Sequence, residues 1–309
     1  MQWGGTTYPW HAPRIVGLIG GFICLTVLFV LRQIRLGERA TLPPRFFSQR
    51  TIAASLFFMT FFAAGFFMLS FFLPLYFQSI NGVSATKSGV EILPFLLATV
   101  LSTVVSGGII TCVGYYTPFL TAGASLFCIG SGLLSTCGVH TPFAKLLGYQ
   151  ILMGIGVGIA IQVPIIAVQT VLPLADVAIG TACVMFFQTL GGALFVSVGQ
   201  TIFLNGVTRG IRKFAPSVNP EVLLKAGATE IRNVLASLGL EDQLPGALEA
   251  YMVGLRDCFK VMIACSAIAA VAGCFVEWRT VKGKEANRQE IYVDSDDICE
   301  SCRDLEVKT

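Results

Sequence analysis

LLGYQILMGIGVGIAIQVPIIAVQTV, the stretch Leu146–Val171, contains no aspartate, glutamate, lysine or arginine. A helix that crosses a membrane needs about 20 mainly apolar residues, and this stretch is long enough. Further out, the range Gly89–Thr208 has three charged residues, which are Glu91, Lys145 and Asp176. A charged side chain at the bilayer centre costs about 2.5–3.5 kcal/mol, so charges are scarce in membrane helices. The sequence therefore predicts an all-α integral membrane protein.

The uncharged runs divide into about seven candidate transmembrane helices. The turn residues Gly114–Pro118 split the longest run into two helices. The seven predicted segments are Ile15–Leu31, Thr51–Phe77, Ile92–Cys112, Pro118–Cys137, Leu146–Val171, Val177–Phe203 and Phe259–Val276. We expect residues 1–50 to hold an external amino terminus, the first helix and a basic cytoplasmic loop. Residues 51–278 should form a six-helix bundle, and residues 279–309 a flexible cytoplasmic tail.

The loop after the first helix sets the expected orientation. It contains one acidic residue, Glu38, and five arginines, which are Arg32, Arg35, Arg39, Arg45 and Arg50. Short basic loops stay on the cytoplasmic side, so the amino terminus should be external. Because each membrane helix carries the chain to the other side, counting forward from this loop places residues 205–257 outside, as an amphipathic loop. The spacing of its apolar residues predicts two short surface helices, around Ile231–Leu238 and Leu244–Leu255.

The composition excludes several classes of protein. Hydrophobic residues make up 54% of the 309 residues, charged residues 13%, and the mean hydropathy is +0.75. The net charge of +3 is small, and the basic residues are not gathered as a nucleic-acid surface requires. No predicted helix has a His, Asp or Glu near its middle, where acid–base chemistry would need a titrating group. We therefore predict a protein that is not an enzyme, with no cofactor and no nucleic-acid partner.

A short cysteine motif in the tail is a weak candidate for metal binding. Cys299 and Cys302 have the spacing of half a zinc site, but the sequence offers neither a second cysteine pair nor a nearby histidine. A zinc ion held there would lack half of its ligands. We predict no metal site.

Polar side chains in the fifth and sixth predicted helices are the candidate substrate contacts. Gln162 and Gln169 are seven residues apart, as are Thr181 and Gln188, so each pair shares one helix face. In lipid such groups must face protein or a wet cavity. They could line a solute path, or they could join helices through hydrogen bonds worth about 0.6 kcal/mol each. The sequence leaves both interpretations open.

Glycines in the same two helices predict close helix packing. Gly154 and Gly158 form a small-x-x-x-small face, and Gly191 and Gly192 could serve the next helix similarly. The first pair superficially resembles a nucleotide-binding loop. It follows no predicted strand, so the context of a dinucleotide site is missing.

Several motifs resemble the carboxyl-terminal half of a major facilitator superfamily transporter. The likeness is strongest to the fourteen-helix drug:proton antiporter branch, especially fungal efflux pumps for toxins and secondary metabolites. It extends to about residue 285. The motifs are Gln2–Trp10, Gly37–Pro44, Tyr76–Ala85, Ser88–Pro94, Gly154–Gln162, Phe187–Ala193 and Glu277–Arg279.

This resemblance implies one central linker helix followed by a carboxyl-terminal six-helix bundle, with an amino-terminal bundle missing. It implies export of small, largely apolar metabolites or drugs by proton antiport, most simply across the plasma membrane, with vacuolar or vesicular membranes as alternatives. The expected partners are the lipid bilayer, cargo, protons, and a separate amino-terminal half or full-length transporter. The competing hypothesis is a non-transporting truncated remnant, or an accessory subunit of an intact transporter.

Overall fold

The computed structural model describes residues 12–37, 42–227, 230–278 and 280, and it confirms the all-α prediction. The helices are α1 (Pro13–Leu36), α2 (Pro44–Ser48), α3 (Arg50–Ser79), α4 (Ala85–Glu91), α5 (Leu93–Val113), α6 (Thr117–Ser135), α7 (Phe143–Ala160), α8 (Val163–Val171), α9 (Leu174–Phe214), α10 (Pro220–Ala226), α11 (Ile231–Ser237) and α12 (Leu244–Gly273). Within these ranges β structure is limited to one isolated bridge, between Tyr115 and Thr280. The motif Gln2–Trp10 and the predicted tail, apart from Thr280, lie outside the described residues.

Six helical segments of the described chain are long and apolar enough to cross a membrane. They are Pro13–Leu36, Arg50–Ser79, Ala85–Val113, Thr117–Ser135, Phe143–Val171 and Leu174–Phe214. The predicted seventh segment, Phe259–Val276, overlaps the second half of α12, which is not one of the six. Helix α12 is not among the six because it contains too many charged residues, which are Glu249, Arg256, Asp257 and Lys260. Its apolar face is nevertheless buried, including Phe259 and Met262.

The helices on either side of residues 205–257 are longer than predicted. Helix α9 continues eleven residues past Phe203, and α12 already begins at Leu244. Of the two predicted surface helices, α11 lies within the first, whereas the second is the start of α12. The extended parts of the two helices are in close contact, since a Cβ on Gly206 would lie 2.7 Å from the Gly254 Cα. The close α9–α12 contact therefore continues beyond the predicted membrane segments.

The bundle is built from α3, α5, α6, α7, α9 and α12. The most extensive contacts join α5 to α7, α6 to α7, α3 to α9, and α12 to α3, α6 and α9. Buried aromatic residues of α3 fill the centre, where the Phe62 ring lies 5.5 Å from the Phe127 ring of α6. In contrast, α1 buries one of its residues, Ile15, and presents the rest of its apolar surface outward. This helix matches the expected linker helix in position, since it lies apart from the bundle.

Proline divides the predicted helix Leu146–Val171 into α7 and α8. Pro164 has no backbone N–H, so it cannot donate a hydrogen bond to the carbonyl of Ala160, four residues earlier. Helical structure stops at Ala160 and resumes at Val163, and the Gln162 carbonyl accepts a 3.2 Å hydrogen bond from the Ile166 N–H. Gln162 therefore lies at the break.

Backbones of α5 and α7 approach closely at two glycines. A Cβ on Gly154 would lie 2.6 Å from the Phe95 carbonyl oxygen, and a Cβ on Gly158 would overlap the Thr99 carbonyl oxygen. Both contacts are to backbone atoms, which cannot rotate away. Gly154 and Gly158 therefore lie where the two backbones approach closely, and their packing role stays a prediction.

Replacing Gly158 with alanine should weaken the bundle, because the new methyl group must push α5 away. We expect a loss of about 1–3 kcal/mol of unfolding free energy, the usual cost of overpacking. The matched control is Gly148→Ala on the same helix, where a Cβ meets nothing within 4 Å. Thermal unfolding of the purified variants, followed by size-exclusion chromatography, measures the difference. Equal unfolding midpoints would refute the packing role.

The connection between α6 and α7, at one end of the bundle, is held by side chains from distant helices. Arg256 of α12 donates from Nε to the Cys137 carbonyl (3.0 Å), and the Tyr76 hydroxyl of α3 donates to the Gly138 carbonyl (3.0 Å). Thr141 accepts from the Gly138 N–H (2.8 Å). Burial raises the pKa of the Cys137 thiol to about 11, against smaller opposing effects of Thr141 and Arg256. The α6–α7 connection is thus closed around a neutral thiol.

Cys137 should resist maleimide at pH 7, because the thiolate is the reactive form and a raised pKa keeps the thiol protonated. Its reactivity should rise only as the pH approaches 11. Arg256→Leu removes the hydrogen bond to the connection and also a charge that lowers the thiol pKa, so a rise in labelling at pH 7 would report opening of the connection, and we expect that rise. Peptide mass spectrometry after brief exposure to N-ethylmaleimide reports labelling at this cysteine alone. Equal labelling of Cys137 in the two proteins would count against the closed connection.

Candidate functional site

The structure brings together two of the four predicted substrate contacts. Gln169 of α8 donates from Nε2 to the Thr181 hydroxyl of α9, at 3.3 Å. Gln162 is exposed at the α7–α8 break, and Gln188 is half-buried on α9. Neither of these two side chains forms a hydrogen bond with another described residue. The four residues therefore do not form one cluster, and their role in substrate binding stays a prediction.

One buried amide was not among the sequence-based candidates. Gln150 of α7 is fully buried, and neither its Nε2 nor its Oε1 has a hydrogen-bond partner in the described part of the chain. Leaving such a group unpaired costs about 1–3 kcal/mol. In the sequence Gln150 looks the same as Gln162, since both are amides in an apolar run. Only the packing of α7 against α5 and α6 distinguishes the buried amide from the exposed one.

A groove of about 400 Å³ lies between α3 and α9. We call it the aromatic groove, and its lining residues are Phe67, Ser70, Phe71, Thr189, Gly192, Ala193 and Val196. The Phe67 and Phe71 side chains are 36% and 48% exposed, so both rings are accessible. Pockets of this size and apolar character suit small organic molecules.

A glycine shapes one wall of the aromatic groove. A Cβ on Gly192 would overlap the Phe67 ring, so the absence of a side chain lets this ring approach α9 closely. The neighbouring Gly191 faces the backbone of Thr60 equally closely. The two glycines that the sequence assigned to packing thus lie where α3 and α9 approach each other closely. Their packing role itself awaits a mutational test.

The polar atoms of the aromatic groove can act as hydrogen-bond acceptors. The Ser70 hydroxyl donates to the Phe66 carbonyl (2.9 Å), and the Thr189 hydroxyl donates to the Met185 carbonyl (3.0 Å). Each hydroxyl has one hydrogen and two lone pairs, so the lone pairs stay available. The groove is therefore suited to an apolar molecule that carries an N–H or O–H group.

Sequence reasoning missed the aromatic groove. Ser70 and Thr189 are ordinary helix residues in sequence, and the phenylalanines around Ser70 indicate only an apolar helix. One signal in the sequence could have indicated it. A polar residue of one predicted helix, Ser70, and the glycine pair Gly191–Gly192 of another occupy corresponding depths in the membrane. That coincidence becomes visible once α3 and α9 are known to be neighbours.

Within the described ranges, no three His, Cys, Asp or Glu residues are grouped so that they could hold a metal ion. Cys299 and Cys302 lie outside those ranges.

Comparison with known proteins identifies the class of molecule. The chain is 43% identical over 285 residues to an MFS-type efflux pump of Arthroderma benhamiae, covering 92% of this chain and 52% of the pump. It is 40% identical over 291 residues to an aspyridones efflux protein of Neocamarosporium betae, covering 93% of this chain and 50% of that protein. It is 36% identical over 294 residues to a thioclapurine efflux transporter of Claviceps purpurea, with coverages of 95% and 54%. No protein-family model matches the chain.

These matches and the fold show an integral, multi-pass membrane protein that resembles half of a major facilitator superfamily transporter. The chain spans about half the length of the curated relatives it matches. All three of these relatives are named for efflux, and two of the names include a compound, aspyridones in one and thioclapurine in the other.

The Gln169–Thr181 hydrogen bond allows a direct test of the helix-joining interpretation. We expect Gln169→Leu and Thr181→Val each to lower stability slightly, and the double variant to lose less than the sum. The coupling should be about 0.6 kcal/mol, the average for such contacts in membranes. Gln162→Leu is the matched control, because this exposed amide has no partner among the described residues. Strictly additive effects in thermal unfolding would show that the pair does not join α8 to α9.

Proposed function

We propose that this chain is the carboxyl-terminal part of an exporter of small, largely apolar metabolites or drugs. The observation that carries the proposal is its similarity, over more than nine-tenths of its length, to proteins named as efflux pumps. Those relatives are about twice as long, so an amino-terminal bundle would complete the transporter. Major facilitator transporters work by rocking two bundles around a site between them.

The aromatic groove is the best-supported contact for cargo on this half. Its volume, its two accessible rings and its two acceptor hydroxyls fit an amphiphilic organic molecule. Gln162, Gln169, Thr181 and Gln188 would then supply further polar contacts along the same path. The proposal extends to proton antiport, which follows from the family resemblance, and to the plasma membrane as the location. The proposed domains are the linker region 1–50, the bundle 51–278 and the tail 279–309.

Transport of a dye tests the proposal. Membrane vesicles would contain the chain, alone or with the amino-terminal bundle of the Arthroderma benhamiae pump, and would be loaded with rhodamine 6G. We expect dye export from the complete assembly, and a slower rate after a protonophore removes the pH gradient. An export rate that stays the same after the protonophore is added would refute proton coupling. No export from either preparation would refute the exporter proposal and favour a non-transporting remnant or accessory subunit.

Filling the aromatic groove should selectively impair export. Ala193→Phe places a ring in the groove. We expect the export rate at a fixed, low dye concentration to fall about tenfold, a typical effect of altered pocket shape. The matched control, Leu194→Phe, adds a ring to the same helix at an exposed position that does not line the groove. The amount of folded protein in the vesicles, measured by size-exclusion chromatography, normalises the rates. Equal rates for both variants would exclude the groove as a cargo contact.

A further inference from the structure

Helix α3 contains a proline, Pro74, that has no part in the transport proposal. The helix continues through it, from Arg50 to Ser79. A proline has no backbone N–H, so Pro74 cannot donate the hydrogen bond that the carbonyl four residues earlier accepts in a regular helix. That carbonyl belongs to Ser70, which lines the aromatic groove. A backbone acceptor beside the groove therefore lacks its usual helix donor.

Pro74 lies on the same face of α3 as the groove residues. It follows Phe67 by seven residues and Phe71 by three, which is the spacing of residues on one face of a helix. In a helix the carbonyl of Ser70 points along the axis towards residue 74. The proline ring would collide with that oxygen in regular geometry, so the carbonyl tilts outward. Because Ser70 is exposed on this face, the tilt turns the carbonyl oxygen towards the groove.

Contacts with α4 hold the turn that follows Pro74. The Ser88 hydroxyl of α4 donates to the Pro74 carbonyl, at 3.1 Å. The Gln78 side chain donates from Nε2 to the Ser88 hydroxyl, at 3.4 Å. Ser88 is fully buried, so bulk water does not compete for these hydrogen bonds. The helix on the far side of the proline is therefore held in place by a neighbouring element.

The polar side chains of the aromatic groove present acceptors. The Ser70 hydroxyl already donates its proton to the Phe66 carbonyl. The Thr189 hydroxyl likewise donates to the Met185 carbonyl. The other described residues of the lining are Phe, Gly, Ala and Val, whose side chains have no polar atoms. This lining therefore offers a bound molecule hydrogen-bond acceptors and no side-chain donor.

This imbalance discriminates between cargo molecules. A cargo N–H group that leaves water can form a new hydrogen bond to the Ser70 carbonyl. A ketone, ether or ester oxygen of the cargo meets no side-chain donor in the lining, and burying it unpaired lowers affinity. The accessible rings of Phe67 and Phe71 also attract positive charge through their faces. The groove is thus best matched to an N–H group on a cationic molecule.

We propose that the Ser70 carbonyl, left without its helix donor by Pro74, selects cargo that carries an N–H group on a cationic centre. Pro74 is a positioning residue, since the carbonyl oxygen makes the contact. The inference rests on the proposed function, because it takes the aromatic groove as the cargo contact. A proline that only bends the helix would affect the binding of all molecules alike. Selection changes the ratio of affinities for two molecules that differ in the N–H group.

Two cationic dyes of similar size make this ratio measurable. Rhodamine 6G carries N–H groups, and tetramethylrhodamine ethyl ester has dimethylamino groups in their place. Fluorescence anisotropy of each dye, titrated with the purified chain in lipid nanodiscs and corrected with empty nanodiscs, gives the two dissociation constants. We expect rhodamine 6G to bind about tenfold more tightly, the effect of one hydrogen bond to a charged group. Equal affinities of the unaltered chain for the two dyes would overturn the inference.

Pro74→Ala tests the role of the proline, because alanine supplies the missing N–H to the Ser70 carbonyl and Pro74 does not line the groove. We expect most of the preference for rhodamine 6G to be lost. The matched control is Pro94→Ala, which removes a proline near the start of α5, outside the groove lining, and should keep the preference. An unchanged ratio in Pro74→Ala would refute the selection by Pro74.

Ser70→Ala keeps the test decisive if Pro74→Ala does not fold. This variant removes the hydroxyl and retains the carbonyl, so the preference should persist. Its loss would assign selection to the hydroxyl and contradict the inference. Ala193→Phe should weaken the binding of rhodamine 6G, and unaltered binding would place the dye outside the groove and overturn the inference.

The outcome of these binding measurements is separable from that of the transport assay. Equal dye affinities combined with dye export would refute the selection and leave the exporter proposal standing. An intact preference combined with no export would refute the exporter proposal alone.

Discussion

Close approach of helix backbones at glycines is the constraint on which this bundle depends. Lipid tails are as apolar as the helices, so the hydrophobic effect does little to hold membrane helices together, and packing must do so. The same solution recurs at several contacts, among them Gly158 against Thr99, Gly191 against Thr60, and Gly206 against Gly254. At each of these contacts, two helix backbones approach closely. The grooves on the surface exist because these contacts fix the helices at definite distances.

The membrane fold could be predicted from charge alone, but the helix boundaries could not. Six segments were recoverable because uncharged runs of this length have few alternatives in a folded protein. The break at Pro164 was missed, although the residue is visible, because apolar character continues across it. Helix α12 shows the opposite error, since its charges suggested an external helix where packing against α9 extends a single long one. In both cases a tertiary contact or a backbone effect outweighed local polarity.

Candidate site residues were harder to predict than the fold. An amide in a membrane segment signals an interaction without revealing its partner, and the three glutamines between Phe143 and Val171 illustrate this. Gln150 is buried, Gln162 is exposed, and Gln169 bonds to Thr181. Their sequence surroundings are nearly equivalent. The aromatic groove was invisible for a related reason, because it is formed where two helices meet, more than a hundred residues apart in the chain.

The break at Pro164 has a mechanical consequence. In an intact helix, bending stretches hydrogen bonds along one side, and in lipid no water replaces them. At this position the bond to the Ala160 carbonyl is already absent, so a change of angle between α7 and α8 breaks nothing further. Helix α7 packs mainly against α5 and α6, whereas α8 packs mainly against α3 and α9 and touches α6 to a smaller extent. The break therefore separates a segment packed mainly on α5 and α6 from one packed mainly on α3 and α9, so a tilt between those sides would bend the chain where one helix hydrogen bond is already missing.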